Sequence, residues 1–273
     1  MAGKNESVAR TLTVAFLVCL VCAVVVSTAA VTLRPVQQKN QTLDRRINIL
    51  MAADMYQPGM NVEKAFNTID RKFVDLDTGE YVDKPDSYDQ LKAAKDPERN
   101  VRLSSEEDIA GIKTQAKVAE VFLARNDNGE LHRIILPVRG YGLWSTLYGF
   151  MALEADAKTI SGLGFYQHGE TPGLGGEVDN PDWKALWDGK KLYNEDGEIA
   201  IQVIKGTVDS NTANAENKVD GLAGATLTSK GVSNLVRFWV GENGFGPYLD
   251  RMQKQNPAGG SEAPALGQPE GDA

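Results

Sequence analysis

Cysteine is nearly absent from this 273-residue chain, and the two present, Cys19 and Cys22, both fall in one apolar run. The remainder therefore has no disulfide, no thiolate nucleophile and no cysteine ligand for zinc or an iron–sulfur cluster. Histidine is equally scarce. His132 and His168 are the only imidazoles, which argues against a dedicated transition-metal site. There is no surplus of basic residues either. The formal net charge is -8, and the chain has no run of five like charges, so the composition points away from a nucleic-acid partner.

What the chain does have begins near its N-terminus. Thr11 to Leu33 reads TLTVAFLVCLVCAVVVSTAAVTL, uncharged and bracketed by Arg10 and Arg34. As a helix this segment is about 34 Å long, enough to cross a hydrocarbon core of ~30 Å. A cleaved signal peptide ending near STAA and a lipoprotein anchor at Cys22 are the competing readings. The first has a shorter apolar stretch, and the second needs a small residue where Val21 stands. The expected organisation is a short tail (1–10), a transmembrane helix (11–33) in membrane lipid, one domain (34–255) and a disordered Pro/Gly-rich tail (256–273). Lys4 and Arg10 against Arg34, Lys39, Arg45 and Arg46 would, by charge count alone, keep that domain in the cytoplasm.

Within the domain, Leu43, Ile47, Leu50 and Met51 have helical spacing up to a stop at Pro58, and VEKAFNTIDRKF (62–73) reads as a second helix. Residues 83–102 read as loop with one helical turn. From Lys117 the pattern becomes β-rich, with two runs joined by Asn126-Asp127-Asn128-Gly129 as a hairpin. Further strands follow at 147–155, 159–168 and 198–206, with a short helix at 182–190. Near the end, Val232, Leu235, Val236, Trp239 and Val240 form one apolar helix face, closed by Gly241. The expected fold class is α+β, with a largely antiparallel or mixed sheet flanked by helices.

Three stretches could carry chemistry. In RGYGLWST (139–146), Gly140 and Gly142 allow close backbone approach, while Tyr141 and Trp144 offer flat faces; a strand end with a core Trp is the plain alternative. GFYQHGETPGLGGEV (164–178) lacks the P-loop pattern and does not follow the dinucleotide fingerprint. It reads either as a surface Ω loop or as a loop whose amides meet a planar or phosphorylated ligand. DGLAGATLTSKGV (220–232) precedes the apolar helix. Here Thr228 is the expected N-cap of a helix starting at Ser229, and Thr226 sits just off its positive end, where a phosphate is favoured. Spacing alone gives an anion site and nothing more specific.

Asp220-Gly221-Leu222-Ala223-Gly224-Ala225-Thr226 resembles the motif of FMN-binding domains that opens with D-G and ends in (S/T)-G-A-T, in which a flavin transferase links FMN to the last threonine through a phosphoester. Ala223 departs from it, standing where serine or threonine is usual. With HGETPGLGG, GYGLWS, the single N-terminal helix and the length, the chain resembles the NqrC family, a component of Na+-translocating NADH:quinone reductases. That resemblance implies one covalent FMN on Thr226, within the motif residues Asp220, Gly224, Ala225 and Thr228. It places Leu143, Trp144 and Leu174 near the ring, and Glu170, Thr171 and Gly173 around its polar edge and side chain. It implies no catalytic residue in the chain itself and no metal. The implied role is electron relay in a six-subunit complex with subunits A, B, D, E and F, which oxidises NADH, reduces ubiquinone and expels Na+. The FMN domain would then be periplasmic at the inner membrane, against the charge count. RnfG, the related covalent flavoprotein of the Rnf complex, and a membrane-anchored protein holding FMN non-covalently are the alternatives.

Overall fold

The structure is a computed structural model describing residues 8–53 and 55–255; the expected C-terminal tail lies outside the described residues. These residues divide into two units, one up to Arg45 and one from Arg46. The first consists of most of α1 (Val8–Ala52), a 45-residue helix that carries Pro35. It is the one described helix long and apolar enough to cross a membrane, and none of its most apolar 18-residue stretch is buried. The two helices expected on either side of Arg34 are thus a single continuous element, which ends at Ala52 rather than at Pro58.

The second unit is built on five strands in the order β1-β4-β5-β6-β7, every neighbouring pair antiparallel. They are β1 (Asp70–Asp75), β4 (Val118–Arg125), β5 (Leu131–Tyr141), β6 (Thr146–Glu154) and β7 (Ile160–Gln167), with a separate small pair, β2 (Asn100–Arg102) and β3 (Thr114–Ala116). The hairpin turn expected at Asn126–Gly129 joins β4 to β5, with Gly129 at φ +82°.

Both faces of the sheet are covered, which accounts for the burial of nearly all of β4. Val121, Leu123, Ile134 and Leu136 face one core. Their alternate neighbours Phe122, Ala124 and Ile135 face another, which takes Ile49 and Leu50 from the last turns of α1. This is the period-2 geometry of a strand between two apolar layers.

The principal covering helix is α5 (Thr226–Val240), and the expected face of Val232, Leu235, Val236, Trp239 and Val240 is buried. Each such side chain contributes roughly 1.5–3 kcal/mol of transfer free energy. The Trp239 indole N–H donates to the Arg139 carbonyl at 2.7 Å, fixing the helix to β5. A Cβ on Gly140 would lie 2.7 Å from the Leu235 Cβ, and one on Gly231 would lie 2.5 Å from the Tyr141 carbonyl oxygen. These two glycines let α5 lie directly on the end of β5, which brings its N-terminus beside residues 142–145.

Three expectations are corrected. The helix at 62–73 is only α2 (Val62–Phe66), and Asp70–Asp75 instead forms β1 along β4. Pairing and the burial of Val74 outweigh the helical spacing. The strand at 198–206 contracts to β8 (Gln202–Val203), which pairs in parallel with β9 (Lys218–Val219). The helix at 182–190 is α4 (Pro181–Ala185), capped by the Asn180 side chain. The single turn in 83–102 is α3 (Gln90–Ala93). A last helix, α6 (Gly246–Gln255), buries Tyr248, Leu249 and Met252 and has no counterpart in the sequence reading.

Candidate functional site

The site is organised around a buried carboxylate. Glu170 follows β7 and is only 5 % exposed. Its Oε1 accepts from the amides of Leu143 (3.1 Å), Trp144 (3.0 Å) and Ser145 (3.2 Å). Its Oε2 accepts from the Leu143 amide at 3.2 Å and from the Thr228 hydroxyl at 2.7 Å. Successive amides converging on one anion form a nest, here occupied by the protein's own side chain. Burial on its own would raise the carboxyl pKa. The amides of Trp144, Leu143 and Ser145 and the Thr228 hydroxyl outweigh it, holding Glu170 below the usual glutamate range.

The nest leaves no room for added bulk. A Cβ on Gly142 would sit 2.7 Å from Glu170 Oε1, and one on Gly175 would sit 2.5 Å from Thr228 Oγ1 and 2.8 Å from Glu170 Oε2. Backbone bonds fix the surrounding loops. The Gly142 amide donates to the Ser145 carbonyl at 2.8 Å, and the Leu174 and Gly176 amides donate to the Thr171 carbonyl at 3.1 and 2.9 Å. The Gly169 amide donates to Ser145 Oγ at 2.7 Å. His168 is a brace here: its Nδ1 accepts from the Glu170 amide at 3.2 Å, so Nε2 carries the proton towards Asp179 Oδ2, 2.7 Å away.

This arrangement alters the expected part of two residues. Thr228 is not the N-cap of α5: the helix begins two residues before it, Ala225 is the capping residue, and no side chain caps the end. The Thr228 hydroxyl is committed to Glu170 instead, and Ser229 Oγ accepts from the Leu222 amide at 3.0 Å. Glu170, expected at a ligand's polar edge, has both oxygens occupied by protein donors. It connects loop 143–145 to α5.

Thr226 is the exposed first residue of α5, so its hydroxyl is accessible and the first-turn amides have no intrahelical acceptor. Gly224 just before it has φ +71°, and a Cβ there would meet Leu174 Cδ2 at 2.9 Å. Glycine is therefore favoured by conformation, while the Leu174 methyl, at the end of an exposed side chain, could move aside. Trp144 (67 % exposed), Leu174 (44 %) and Leu227 (58 %) leave large apolar side chains in solvent around this corner. Leu227 was not anticipated; its place beside Thr226 in an otherwise amphipathic helix is the signal that could have found it. Gly173, at φ +74°, forms an open turn. Asp220 is turned away: its carboxylate accepts from the Val208 amide at 2.8 Å and its carbonyl from the Trp183 indole at 2.8 Å. The described residues include no group of His, Cys, Asp and Glu able to hold a metal ion.

An uncapped helix end with a free hydroxyl, beside a rigid loop with exposed aromatic and aliphatic side chains, suits a ligand with a phosphate at one end and a flat ring at the other. FMN has that form. The FMN-binding domain family model matches residues 142–241, which span the whole corner. The NqrC protein of the Na+-translocating NADH-quinone reductase of Pseudomonas aeruginosa is 55 % identical over 258 residues, 92 % of this chain and 98 % of that protein. Its Vibrio alginolyticus counterpart is 46 % identical over 93 % of this chain and 98 % of its own length. Among solved structures, Shewanella oneidensis NqrC superposes with a TM-score of 0.71 at 36 % identity, covering 80 % of this chain and 99 % of that one. The Parabacteroides distasonis counterpart gives 0.60 at 28 % identity, covering 81 % and 96 %. The chain belongs to the NqrC family of Na+-translocating NADH-quinone reductase components.

Proposed function

We propose that this chain is the covalently flavinylated electron carrier of its reductase complex, with FMN esterified to Thr226. One observation carries the reading: Thr226 is an exposed hydroxyl on an uncapped helix N-terminus, next to a corner whose backbone is fixed by Glu170. In the attachment step the Thr226 Oγ–phosphorus bond forms, the flavin donor's leaving group departs from phosphorus, and the hydroxyl proton is lost. A periplasmic flavin transferase catalyses it. The first-turn amides of α5 then face the diester's remaining negative charge.

FMN supplies the ring that accepts and gives up electrons. The chain's own residues position and shield it. Trp144, Leu143 and Leu174 would hold the ring. Gly173 and Thr171 would shape the turn at its polar edge, and Gly224 and Ala225 would let the backbone approach the phosphate. Glu170 and Thr228 hold the two walls at a fixed separation without touching the ligand, and Asp220 holds the 205–208 segment in place.

In this reading α1 anchors the chain in the inner membrane through residues 11–33, and residues 34–255 form the periplasmic domain. A single apolar helix without an acidic residue offers Na+ no path, so pumping belongs to the assembly with subunits A, B, D, E and F. Rapid mixing of the assembled complex with NADH tests the carrier role. Flavin absorbance on this chain should bleach and then recover when ubiquinone is added. A flavin here that stays oxidised throughout turnover would defeat it.

A further inference from the structure

A cleft of about 240 Å³ lies beside Thr226, between the 202–206 segment and the face of α5 that carries Lys230 and Arg237. Thr226, Lys230 and Arg237 (i, i+4, i+11) share one side of the helix, while Thr228, about 200° round at 100° per residue, faces Glu170 on the other. Lys205, Lys230 and Arg237 line the cleft, and no acidic residue does, although the chain as a whole is acidic at -8. Among the described residues none of these three cations is engaged in an ion pair.

The walls are fixed by close backbone contacts. A Cβ on Gly221 would lie 2.3 Å from the Ile204 carbonyl oxygen, and the Gly221 amide donates to the Gly206 carbonyl at 2.8 Å. The glycine therefore lets the 204–206 segment, with Lys205, close against the residues leading to Thr226. The Val203 amide donates to Ser233 Oγ at 2.6 Å, tying that segment to α5. The carboxylate of Asp220, which precedes Gly221 in the chain, accepts from the Val208 amide.

We infer that this cleft is an oxyanion seat for the phosphodiester on Thr226, with Lys230 and Lys205 as its flanking cations and Arg237 too far along the helix to touch it. The inference rests on covalent attachment at Thr226. Helical side chains lean towards the N-terminus, so the Lys230 ammonium is directed at the residue one turn before it, which is Thr226. Arg237 starts seven residues further on, about 10 Å along the axis.

The test uses phosphorus NMR on the full-length flavinylated chain in phospholipid-free detergent, with intact mass confirming attachment in every sample. Lys230→Gln and Lys205→Gln should each move the diester resonance, while Arg237→Gln leaves it in place. All three side chains are exposed, so folding is preserved. Three coincident resonances, or an Arg237 effect as large as the others, would overturn the seat; a wild type without the mass increment would overturn attachment itself.

A second arm separates the diester from free anions. The unmodified Thr226→Ala chain should bind inorganic phosphate, weakened at least about tenfold by Lys230→Gln, the loss of one charge-assisted hydrogen bond. The flavinylated chain should bind none there. Phosphate binding of equal strength in both forms would assign the cleft to a free anion, and no binding to the Thr226→Ala chain would remove it as an oxyanion site.

Discussion

The Thr228 hydroxyl donates to Glu170 Oε2 at 2.7 Å across 58 residues of sequence, and both groups are buried. This bond joins the helix that presents Thr226 to the loop that presents Trp144. The same Glu170 carboxylate collects the three amides of that loop, so one side chain sets the distance between the walls of the proposed flavin site.

Glu170→Gln should cost about 2 kcal/mol or more, because the amide nitrogen turns a donor towards N–H groups that need an acceptor. Chemical denaturation would show it as a lower midpoint at unchanged slope. An unchanged midpoint would mean that the nest contributes nothing to stability.

The depressed Glu170 pKa gives a signed pH dependence. A carboxyl with a lower pKa folded than unfolded stabilises the fold fully above its unfolded value, ~4.3. That contribution is lost as pH falls through the lower folded value. Wild type should therefore lose stability more steeply than Glu170→Gln below about pH 4.5, and parallel curves would refute the assignment.

Thr228→Val keeps the shape and removes the hydroxyl, at about 1–2 kcal/mol. Flavin attachment should persist, because Thr228 is enclosed and Thr226 is the acceptor. Loss of the flavin from a folded Thr228→Val protein would contradict that division.

Gly175→Ala should destabilise by about 1–3 kcal/mol through overpacking, since its Cβ would meet Thr228 Oγ1 at 2.5 Å. Trp144→Ala, at a side chain 67 % exposed, should leave the melting temperature unchanged. It should instead raise flavin emission by removing the indole from the ring. A stability loss at Trp144 or none at Gly175 would reverse the two roles.

The sequence showed some of this plainly. The β4–β5 hairpin follows from its Asn-Gly turn chemistry, and the buried face of α5 from its i, i+3, i+4, i+7 spacing, because both signals are local. The extent of α2 was misread because β1 is decided by pairing with β4, a partner nearly 50 residues away. The true start of α5 was hidden for a related reason: Thr228 looks like a capping residue, yet its hydroxyl is taken by Glu170, 58 residues away. Glu170 was visible as a lone acid among glycines, but its inward direction depends on four donors brought in by two other segments. The basic cleft was invisible, since Lys205 and Lys230 meet only after the chain has passed through β9.

The most direct measurement is the intact mass, under denaturing conditions, of the chain made in a host with an active flavin transferase, beside Thr226→Ala and Thr228→Ala. Covalent attachment at Thr226 predicts an increment of FMN less one water in wild type and Thr228→Ala, and none in Thr226→Ala. An increment that survives Thr226→Ala, or none in wild type while the transferase modifies another substrate, would contradict the account; in the second case a non-covalent FMN carrier would take its place.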